Sequence, residues 1–318
     1  MEDNIKVSII CNTYNHEKYI AETLESFLMQ KTNFQYEILI HDDASTDKTA
    51  EIIRKYEEKY PNIIKPIYQT ENQYSKKVKI GITYQFPRVK GKYIAICEGD
   101  DYWTDMNKLQ KQYDAMEKNP SVDICAHSSN KMNANTNKTE GEIRPSSEDC
   151  ILSIEQVIEG GGGYVATNSL FYRSEINKNM PEFRKNIGLD YSIQMHGSMR
   201  GGMLFLKDNM SVYRVGVANS AMTKQSNNAQ LIVKNSERVL CLLDMVNKET
   251  DGKYIKAIEN HRRFIEFDIL MAQEEYKQIF NGKYRNALKR MPLKRRVVLR
   301  IKAHFPFVEK VYRKVRKK

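Results

Sequence analysis

The chain has 318 residues, of which 41% are hydrophobic, and this length suffices for one large α/β domain with a helical appendage. Its five cysteines are an odd number without a Cys-x-x-Cys pair, which argues against a disulfide framework and a zinc site and fits a reducing cytoplasm. The net charge is +11, but residues 283–318 hold fifteen Lys or Arg beside one acid, Glu309, so this tail carries +14 and the rest of the chain −3.

Short apolar runs alternate with helical patterns through the first half of the chain, which is typical of a mostly parallel sheet with flanking helices. We predict strands at Lys6–Ile10, Tyr36–Ile40, Ile63–Tyr68 and Tyr93–Cys97. We predict helices after an Asn15 cap, with apolar positions Ile20, Leu24, Phe27 and Leu28, and then over Thr49–Tyr60, near Ile80–Phe86 and over Asn107–Lys118. These elements amount to three or four β-α units.

The second half is less regular. Residues Ser128–Asp149 are dominated by Asn, Thr, Lys and Ser, and we predict a loop or crossover there. The glycine run Gly160–Gly163 is either a plain turn or a place where the backbone approaches a ligand closely. The pattern from Ala229 to Phe280 predicts a helical pair. We therefore expect a domain over residues 1–225, with halves at 1–127 and 128–225, and a helical extension over 226–318.

Polar clusters follow three of the predicted strands directly. They are residues 12–15 (NTYN), residues 42–47 (DDASTD) and residues 98–101 (EGDD). Ligands of open α/β sheets bind at the carboxyl ends of the strands, so these clusters should converge on one rim. Closely spaced carboxylates raise one another's pKa unless a cation or hydrogen-bond donors offset their charge. The cluster at residues 98–101 therefore predicts a bound cation or a set of hydrogen-bond donors beside it.

Three stretches of the sequence carry a family resemblance. They are VSIICNTYNHEKYIAETLESFLMQ, YEILIHDDASTDKT, and GKYIAICEGDDYW with KLQKQ shortly after it. Together they resemble the family 2 glycosyltransferases, which have the GT-A fold and transfer a sugar from a nucleotide diphosphate donor with inversion at the anomeric carbon. The resemblance is dense over residues 5–127, weaker from Gly163 to Arg214, and absent from the C-terminal part. It implies a Rossmann-like, mixed and mostly parallel sheet with flanking helices.

The resemblance also implies contacts to the donor nucleotide. A nucleotide base needs a flat apolar face and an acceptor for its ring N–H. Tyr14, beside Asn12 and Thr13, supplies the face, and Asp42 supplies the acceptor. In the family the pair that matches Asp42 and Asp43 faces the base and ribose, usually with uracil as the base.

The family's metal-binding D-x-D motif falls on Glu98-Gly99-Asp100, with Glu in place of the first Asp. A divalent metal held by carboxylates neutralises the diphosphate leaving group as the glycosidic bond breaks. We expect Asp100 to be the ligand of Mg²⁺ or Mn²⁺, with Asp101 as the second choice. Glu98, as the other acid of the motif, is expected to contribute to the same cofactor site. Trp103 either walls the donor sugar or packs in the core.

Inversion requires a base on the face opposite the leaving group, and this base should lie on the acceptor side. The segment GLDYSIQMHGSMRGGMLFLKDNMSVYRV resembles the family's acceptor region, in which an Asp begins a helix. Asp190 matches that Asp. From the residues alone, Asp190 is more readily an ordinary carboxylate favoured by a helix N-terminus; the resemblance makes it the expected general base.

The chain departs from the family pattern after Tyr213-Arg214. Related sequences commonly have a His two residues after this Arg, whereas Gly216 stands here. Arg214 or Lys224 is expected to contact the diphosphate instead. We expect structural roles for His41 and His196, because their spacing pairs neither with another ligand.

The basic tail interleaves its cations with apolar residues. These are Val297, Val298, Ile301, Phe305, Phe307, Val308, Val311 and Val315. The pattern favours a segment that lies on an anionic membrane surface, while a solvated basic helix and a nucleic-acid-binding segment are the alternatives. Neither a signal peptide nor a run of about 18 apolar residues is present. We therefore expect a cytoplasmic protein, peripheral on the inner face of the cell membrane.

The sequence thus predicts an inverting glycosyltransferase that uses a nucleotide sugar, with a UDP-sugar favoured, and a glycan or lipid-linked acceptor in cell-surface polysaccharide synthesis. A sugar-phosphate nucleotidylyltransferase is disfavoured because CNTYNHEKY contains no glycine for a phosphate loop. The main alternative is a catalytically inactive protein that binds a nucleotide sugar or nucleic acid. A nucleic-acid partner would leave the acidic clusters unexplained, so we expect none.

Overall fold

A computed structural model describes residues 5–218, 220, 223 and 228–304. Within these residues the strands are β1 (Ile5–Thr13), β2 (Gln35–Asp42), β3 (Ile64–Tyr68), β4 (Tyr93–Ile96), β5 (Tyr102–Trp103), β6 (Ile124–Asn133), β7 (Thr139–Ile143), β8 (Cys150–Leu152), β9 (Phe171–Arg173) and β10 (Met203–Val215). The main path of the sheet runs β3-β2-β1-β4-β9-β6-β10-β5, while β7 pairs with β6 and β8 with β10.

The sheet is mixed, and its longest ladders are parallel. Strands β3, β2, β1 and β4 are parallel neighbours, and so are β6 and β10. Strand β9 is antiparallel to both β4 and β6. Strands β1 and β2 are buried along most of their length, which explains their uninterrupted apolar runs. The predicted mixed α/β sheet is confirmed.

Helices flank the sheet. In the first part of the chain they are α1 (Ile20–Leu28), α2 (Thr49–Lys59), α3 (Lys108–Lys118), α4 (Ile154–Gly160), α5 (Glu182–Asn186) and α6 (Asp190–Ser198). The predicted helix near Ile80–Phe86 is a π-helical turn, Gly81–Gln85, followed by a 3₁₀ turn, Phe86–Arg88. Amphipathic spacing explains α1, because Ile20, Leu24 and Phe27 recur three or four residues apart and are fully buried.

Asn15 does not cap α1, contrary to the sequence-based prediction. The helix begins at Ile20, after Tyr19. Asn15 instead has a φ of 57°, and its Oδ1 accepts the backbone N–H of Thr46 at 2.7 Å. The same short amide side chain that suits a cap also suits a left-handed turn, so residue type alone could not separate the two.

The loop predicted over Ser128–Asp149 is wrong for much of its length. Strand β6 continues to Asn133, and β7 pairs with it in antiparallel register. Strand β7 is almost entirely exposed, which explains its polar composition. The buried Ser129 is instead satisfied by side-chain hydrogen bonds, including one from Ser211 Oγ at 2.9 Å. Polarity here indicated an exposed hairpin and a buried hydrogen-bond network.

The chain divides into two compact units, Met1–Ala218 and Asn219–Lys318. The helices of the second unit are α7 (Ala229–Glu249), α8 (Ile255–Ala272), α9 (Tyr276–Ile279), α10 (Arg285–Lys289) and α11 (Leu293–His304). The predicted boundary after residue 225 falls where most positions are outside the described residues, as are Lys224 and the apolar tail positions from Phe305 onward. Among the described helices, none has both the length and the apolar content needed to cross a membrane.

Candidate functional site

The three polar clusters meet at the carboxyl edge of the parallel strands. Because β1, β2 and β4 are parallel neighbours, their following loops emerge on one side of the sheet. Backbone hydrogen bonds join the loops directly: Gly99 N–H donates to Asn12 O at 2.9 Å, and Asp43 N–H donates to Thr13 O at 3.0 Å. A Cβ on Gly99 would lie 2.5 Å from Thr13 Oγ1, so only glycine allows this approach. The structure therefore brings together the clusters at residues 12–15, 42–47 and 98–101.

The end of β1 and the loop after it present an exposed ring beside partly buried polar side chains. Tyr14 is 39% exposed at the rim. Thr13 is buried, and its Oγ1 lies 3.1 Å from His16 Nδ1. Asn12 Nδ2 donates to Glu98 Oε1 at 3.4 Å, which links this loop to the acidic loop. Tyr14 is thus solvent-accessible at this edge, whereas Thr13 is buried and Asn12 is tied to the acidic loop.

The Asp pair after β2 holds the neighbouring loops. Asp42 Oδ1 accepts from Ser45 Oγ at 2.5 Å, and burial raises the pKa of Asp42. Asp43 accepts the backbone N–H groups of Gln73 at 2.7 Å and Tyr74 at 3.0 Å. Both carboxylates are buried, and their hydrogen bonds hold the neighbouring loops in place. Only the lone pairs that these bonds leave unused could accept a hydrogen bond from a ligand.

The three carboxylates of the acidic loop have different surroundings. Asp101 is buried; its Oδ1 accepts the backbone N–H of Arg214 at 2.8 Å, and its Oδ2 accepts from Asn168 Nδ2 at 3.1 Å. Asp100 is 17% exposed and lies 3.8 Å from His16 Nε2. Burial, followed by the charges of Asp190 and Asp100, raises the pKa of Glu98 to about 8.

Asp190 begins α6, in a part of the sequence distant from the acidic loop. Its side chain is accessible to solvent, and Thr167 Oγ1 donates to its Oδ2 at 2.9 Å. The surrounding protein nevertheless desolvates the carboxylate and raises the pKa of Asp190, as expected in a cleft open on one side. The charge of Asp190 also contributes to the raised pKa of Glu98, so the two acids interact electrostatically.

The pKa of Tyr213 on β10 is affected by all four acids. Burial raises the pKa of Tyr213, and the charges of Asp101, Asp100, Asp190 and Glu98 raise it further. The charges of four carboxylates from two distant segments therefore act on one phenol. Such an accumulation of negative charge in a partly desolvated cleft favours a cation.

The guanidinium of Arg214 is directed inward. It donates through Nη1 to Asp100 O at 2.6 Å and through Nη2 to Glu22. It also lies over two rings, 4.4 Å from the centroid of Tyr102 and 5.0 Å from that of Tyr19. These contacts assign the side chain to holding the acidic loop, and its expected contact with a diphosphate stays a prediction.

Sequence reasoning missed three residues of the site. His16 contacts both Thr13 and Asp100, and its position directly after the NTYN cluster was the available signal. Thr167 and Asn168 lie in a 3₁₀ turn, Thr167–Ser169, and reach the acidic residues only through tertiary packing. No local pattern in GYVATNSLFYR pointed to them.

Other residues singled out from the sequence lie outside the cleft or support it. Trp103 is fully buried against Phe27, with ring centroids 4.6 Å apart, so it packs in the core. His196 Nδ1 lies 3.1 Å from Arg184 Nη1, and buried His41 lies 3.1 Å from Gln69 Nε2. In the glycine run, Gly162 O accepts from Gln194 Nε2 on α6 at 3.0 Å, which places the run beside the helix that Asp190 begins.

The acidic loop fits a divalent metal that is completed by a substrate. Among the described residues, no three His, Cys, Asp or Glu side chains form a ready-made metal cluster. Mg²⁺ at phosphate sites is usually held by one or two carboxylates, with substrate phosphates and water as the other ligands. Asp100 provides an accessible carboxylate for this arrangement. Asp101 fits less well, because both its oxygens already accept hydrogen bonds.

Comparisons with known proteins show the family and the fold of this chain. The family model described as Glycosyl transferase family 2 matches residues 8–179. An uncharacterized protein of Mycobacterium tuberculosis is 34% identical over 225 residues, which cover 68% of this chain and 62% of that protein. The UDP-Glc:alpha-D-GlcNAc-diphosphoundecaprenol beta-1,3-glucosyltransferase WfaP of Escherichia coli is 39% identical over 111 residues, which cover 35% of this chain and 41% of WfaP.

The fold is shared with a solved structure. TarS of S. aureus, residues 1–349 in complex with UDP-GlcNAc, superposes with a TM-score of 0.57 at 17% identity, over 91% of this chain and 77% of that one. This likeness shows the fold. The family model covers more than half of the chain, and the predicted resemblance is confirmed: the chain belongs to glycosyl transferase family 2.

Proposed function

We propose that this protein is an inverting glycosyltransferase that moves a sugar from a nucleotide diphosphate donor, with a UDP-sugar favoured, to an acceptor in cell-surface polysaccharide synthesis. The observation that carries the proposal is that neighbouring residues of one 3₁₀ turn hydrogen-bond to both acidic elements, Thr167 to Asp190 and Asn168 to Asp101, at the edge of the sheet where the β-strand loops meet. The carboxylates of the acidic loop suit a metal that would neutralise the charged leaving group, and Asp190 suits the attacking hydroxyl.

Asp190 acts as the general base. Its side chain is accessible from solvent, so an acceptor hydroxyl can reach it. The raised pKa of Asp190 is closer to neutral pH than that of an ordinary carboxylate, and this makes Asp190 a stronger base toward the attacking hydroxyl. As Asp190 takes this proton, the acceptor oxygen bonds to the anomeric carbon, and the bond from that carbon to the diphosphate breaks. The nucleotide diphosphate leaves with the electron pair.

The nucleotide binds at the rim made by the loops after β1 and β2. Tyr14 offers an exposed ring for stacking on the base. Asp42 accepts from the ring N–H of uracil through a lone pair not used by Ser45, and Asp43 holds the loop that borders the ribose. TarS was solved in complex with UDP-GlcNAc, and the name of WfaP specifies UDP-Glc, so both of these proteins support a uridine diphosphate sugar as the donor class.

Asp100 holds the divalent metal, Mg²⁺ or Mn²⁺, with Glu98 beside it. When bound, the metal neutralises the developing charge on the diphosphate. Asp101 and Arg214 fix the backbone of the loop that presents Asp100, through the bonds of Arg214 to Asp101 Oδ1 and Asp100 O.

The acceptor is a glycan or a lipid-linked intermediate. WfaP is named for a sugar linked to diphosphoundecaprenol, which is a membrane lipid, and this supports a lipid-linked acceptor. The chain spans 62% of the length of the mycobacterial relative and 41% of that of WfaP. We also propose peripheral association with the inner face of the cell membrane through the basic C-terminal segment.

The test is a binding screen by thermal shift and calorimetry. Purified protein is titrated with UDP, GDP, dTDP and their common sugars, with and without Mn²⁺, beside an Asp100→Ala variant. We expect Mn²⁺-dependent binding of the uridine compounds that Asp100→Ala abolishes. Absence of binding to every nucleotide would overturn the proposal and favour a glycosyltransferase fold that has lost its donor, and full retention in the variant would refute the metal assignment.

A further inference from the structure

The 3₁₀ turn Thr167–Ser169 contacts both acidic elements of the site through neighbouring side chains. Thr167 Oγ1 donates to Asp190 Oδ2 at 2.9 Å, and Asn168 Nδ2 donates to Asp101 Oδ2 at 3.1 Å. The base and the acidic loop come from distant parts of the sequence. One short turn therefore contacts the groups that must act on opposite faces of the sugar.

The turn is rigidly anchored. Asn168 is fully buried; its Oδ1 accepts from Ser211 Oγ at 2.8 Å, and its Nδ2 also donates to Val212 O at 2.8 Å. Trp103 Nε1 donates to Asn168 O at 2.9 Å. On the next residue, Ser169 O accepts from Gln112 Nε2 on α3 at 2.9 Å. Contacts from β5, β10 and α3 thus fix the backbone from which Thr167 projects.

We propose that Thr167 is a positioning residue for Asp190, and that the anchoring of Asn168 sets the distance between the base and the acidic loop. The inference rests on the proposed function and deepens it. In-line displacement depends on the alignment of the attacking and leaving groups, and a misplacement of about 1 Å can lower the rate roughly 100-fold. The carboxylate of Asp190 is accessible to solvent, so without the Thr167 hydroxyl it gains rotational freedom.

The experiment measures Mn²⁺-dependent release of UDP from UDP-glucose and UDP-GlcNAc with water as the acceptor, using the full chain. Thr167→Val keeps the shape of the side chain but removes the donor, and Thr167→Ser keeps the donor. We expect Thr167→Val to lower kcat about 10-fold or more without changing the KM for the donor, and Thr167→Ser to restore most of it. The midpoint of thermal unfolding should be nearly the same in all three proteins.

A double variant separates positioning from a general structural effect. In an Asp190→Asn background, the Thr167→Val change should lower kcat no further, because the group it positions is no longer a base. An additional loss of similar size in that background would overturn the inference, as would full activity of Thr167→Val in a chain that Asp190→Asn inactivates. Full activity of Asp190→Asn itself would overturn the proposed function.

The second unit carries an independent feature, a groove that is both cationic and apolar. Its cavity of about 360 Å³ is lined by Arg285, Lys289, Arg296 and Arg300 together with four apolar side chains and no carboxylate. The guanidinium of Arg300 lies 5.3 Å from the ring centroid of Phe280. Within the described residues, the Nε of Arg296 is buried and has no hydrogen-bond partner. The groove is therefore positively charged.

The helix beside the groove exposes apolar side chains. On α11, Leu293, Val297 and Ile301 are spaced four residues apart on one face, with exposures of 67%, 52% and 45%. Leu299 and Ala303 are buried on a different face of the same helix. The helix thus packs through one apolar face and leaves a second one, the stripe of Leu293, Val297 and Ile301, in solvent.

We propose that the stripe and the groove form a contact surface for an anionic lipid bilayer. The stripe enters the interface, and the groove receives lipid phosphates. This inference names the surface for the membrane association proposed above. Charge complementarity supports it, since the described residues that line the groove include four cations and no acid, and aliphatic side chains beside basic ones characterise helices that lie in a membrane interface. A nucleic-acid partner would leave the aliphatic stripe in water.

The test is co-sedimentation of the full chain with vesicles of phosphatidylcholine alone or mixed with phosphatidylglycerol. Binding to the anionic vesicles should fall at least 10-fold in Val297→Asp/Ile301→Asp and in Arg296→Gln/Arg300→Gln. The control, Lys65→Gln/Lys138→Gln, removes the same charge from exposed positions of the first unit and should bind normally. Equal binding to neutral vesicles, equal loss in the control, or unchanged binding of both test variants would overturn the inference.

Discussion

Replacing Lys108 with methionine removes a fully buried amino group from the core behind the acidic loop. Lys108 is 0% exposed, donates to Gln112 Oε1 at 2.8 Å, and lies 3.8 Å from the ring centroid of Trp103. Burial lowers the pKa of Lys108 from its usual 10.5 to about 7. Between these values the unfolded chain binds a proton that the folded chain does not, so this group makes the wild type more stable as pH rises from 7 toward 10.5.

The size of the effect follows from the pKa difference. At pH 7 the ionisable group costs the folded state about 4 kcal/mol, and at pH 9 about 2 kcal/mol. The hydrogen bond to Gln112 and the stacking on Trp103 stabilise the folded wild type and offset roughly 2–3 kcal/mol of this cost. We therefore expect Lys108→Met to be about 1–2 kcal/mol more stable than the wild type at pH 7 and to lose this advantage at pH 9.

The assay is urea unfolding followed by the fluorescence of Trp103, the only tryptophan of the chain. Lys118→Met, on an exposed residue of the same helix, serves as the control and should change stability by less than about 0.5 kcal/mol at both pH values. A difference between wild type and Lys108→Met that stays constant from pH 7 to pH 9 would refute the reasoning, because the amino group would then not change its charge between the folded and unfolded states in that range.

The remaining predictions concern the site. Asp190→Asn should lower kcat by about 10²- to 10⁴-fold while Mn²⁺-dependent UDP binding persists, and calorimetry beside kinetics checks both. In the wild type, kcat should fall as pH drops through the raised pKa of Asp190, because the protonated acid cannot accept a proton; a rate independent of pH on the acid side would argue against this base. Asp100→Asn should remove the Mn²⁺ dependence of UDP binding, measured by titration with and without EDTA, and a retained dependence would place the metal elsewhere. Tyr14→Ala should weaken UDP binding roughly 10-fold through lost stacking, whereas Tyr14→Phe should bind normally; equal losses would point to the hydroxyl instead.

The sequence alone determined the central strands and the order of the elements around them. Apolar runs buried on both faces, such as Val7–Cys11, permit little else than interior strands of a parallel sheet. Because parallel strands end at the same edge, the positions of the three polar clusters also followed from the sequence. Composition failed where polar residues have tertiary partners, as in β6 and β7, and at Asn15, whose residue type suits two local conformations.

Only the tertiary structure decided the burial and the hydrogen-bond partners of each acid in the candidate site. The motif resemblance ranked Asp100 above Asp101 as a metal ligand, but only the structure shows that Asn168 and the backbone of Arg214 occupy the oxygens of Asp101. Thr167 reaches Asp190, and His16 reaches Asp100, across contacts that local patterns do not encode. Residue type and spacing determine which elements form, whereas the hydrogen-bond partners and desolvation of a carboxylate depend on segments that meet only when the chain folds.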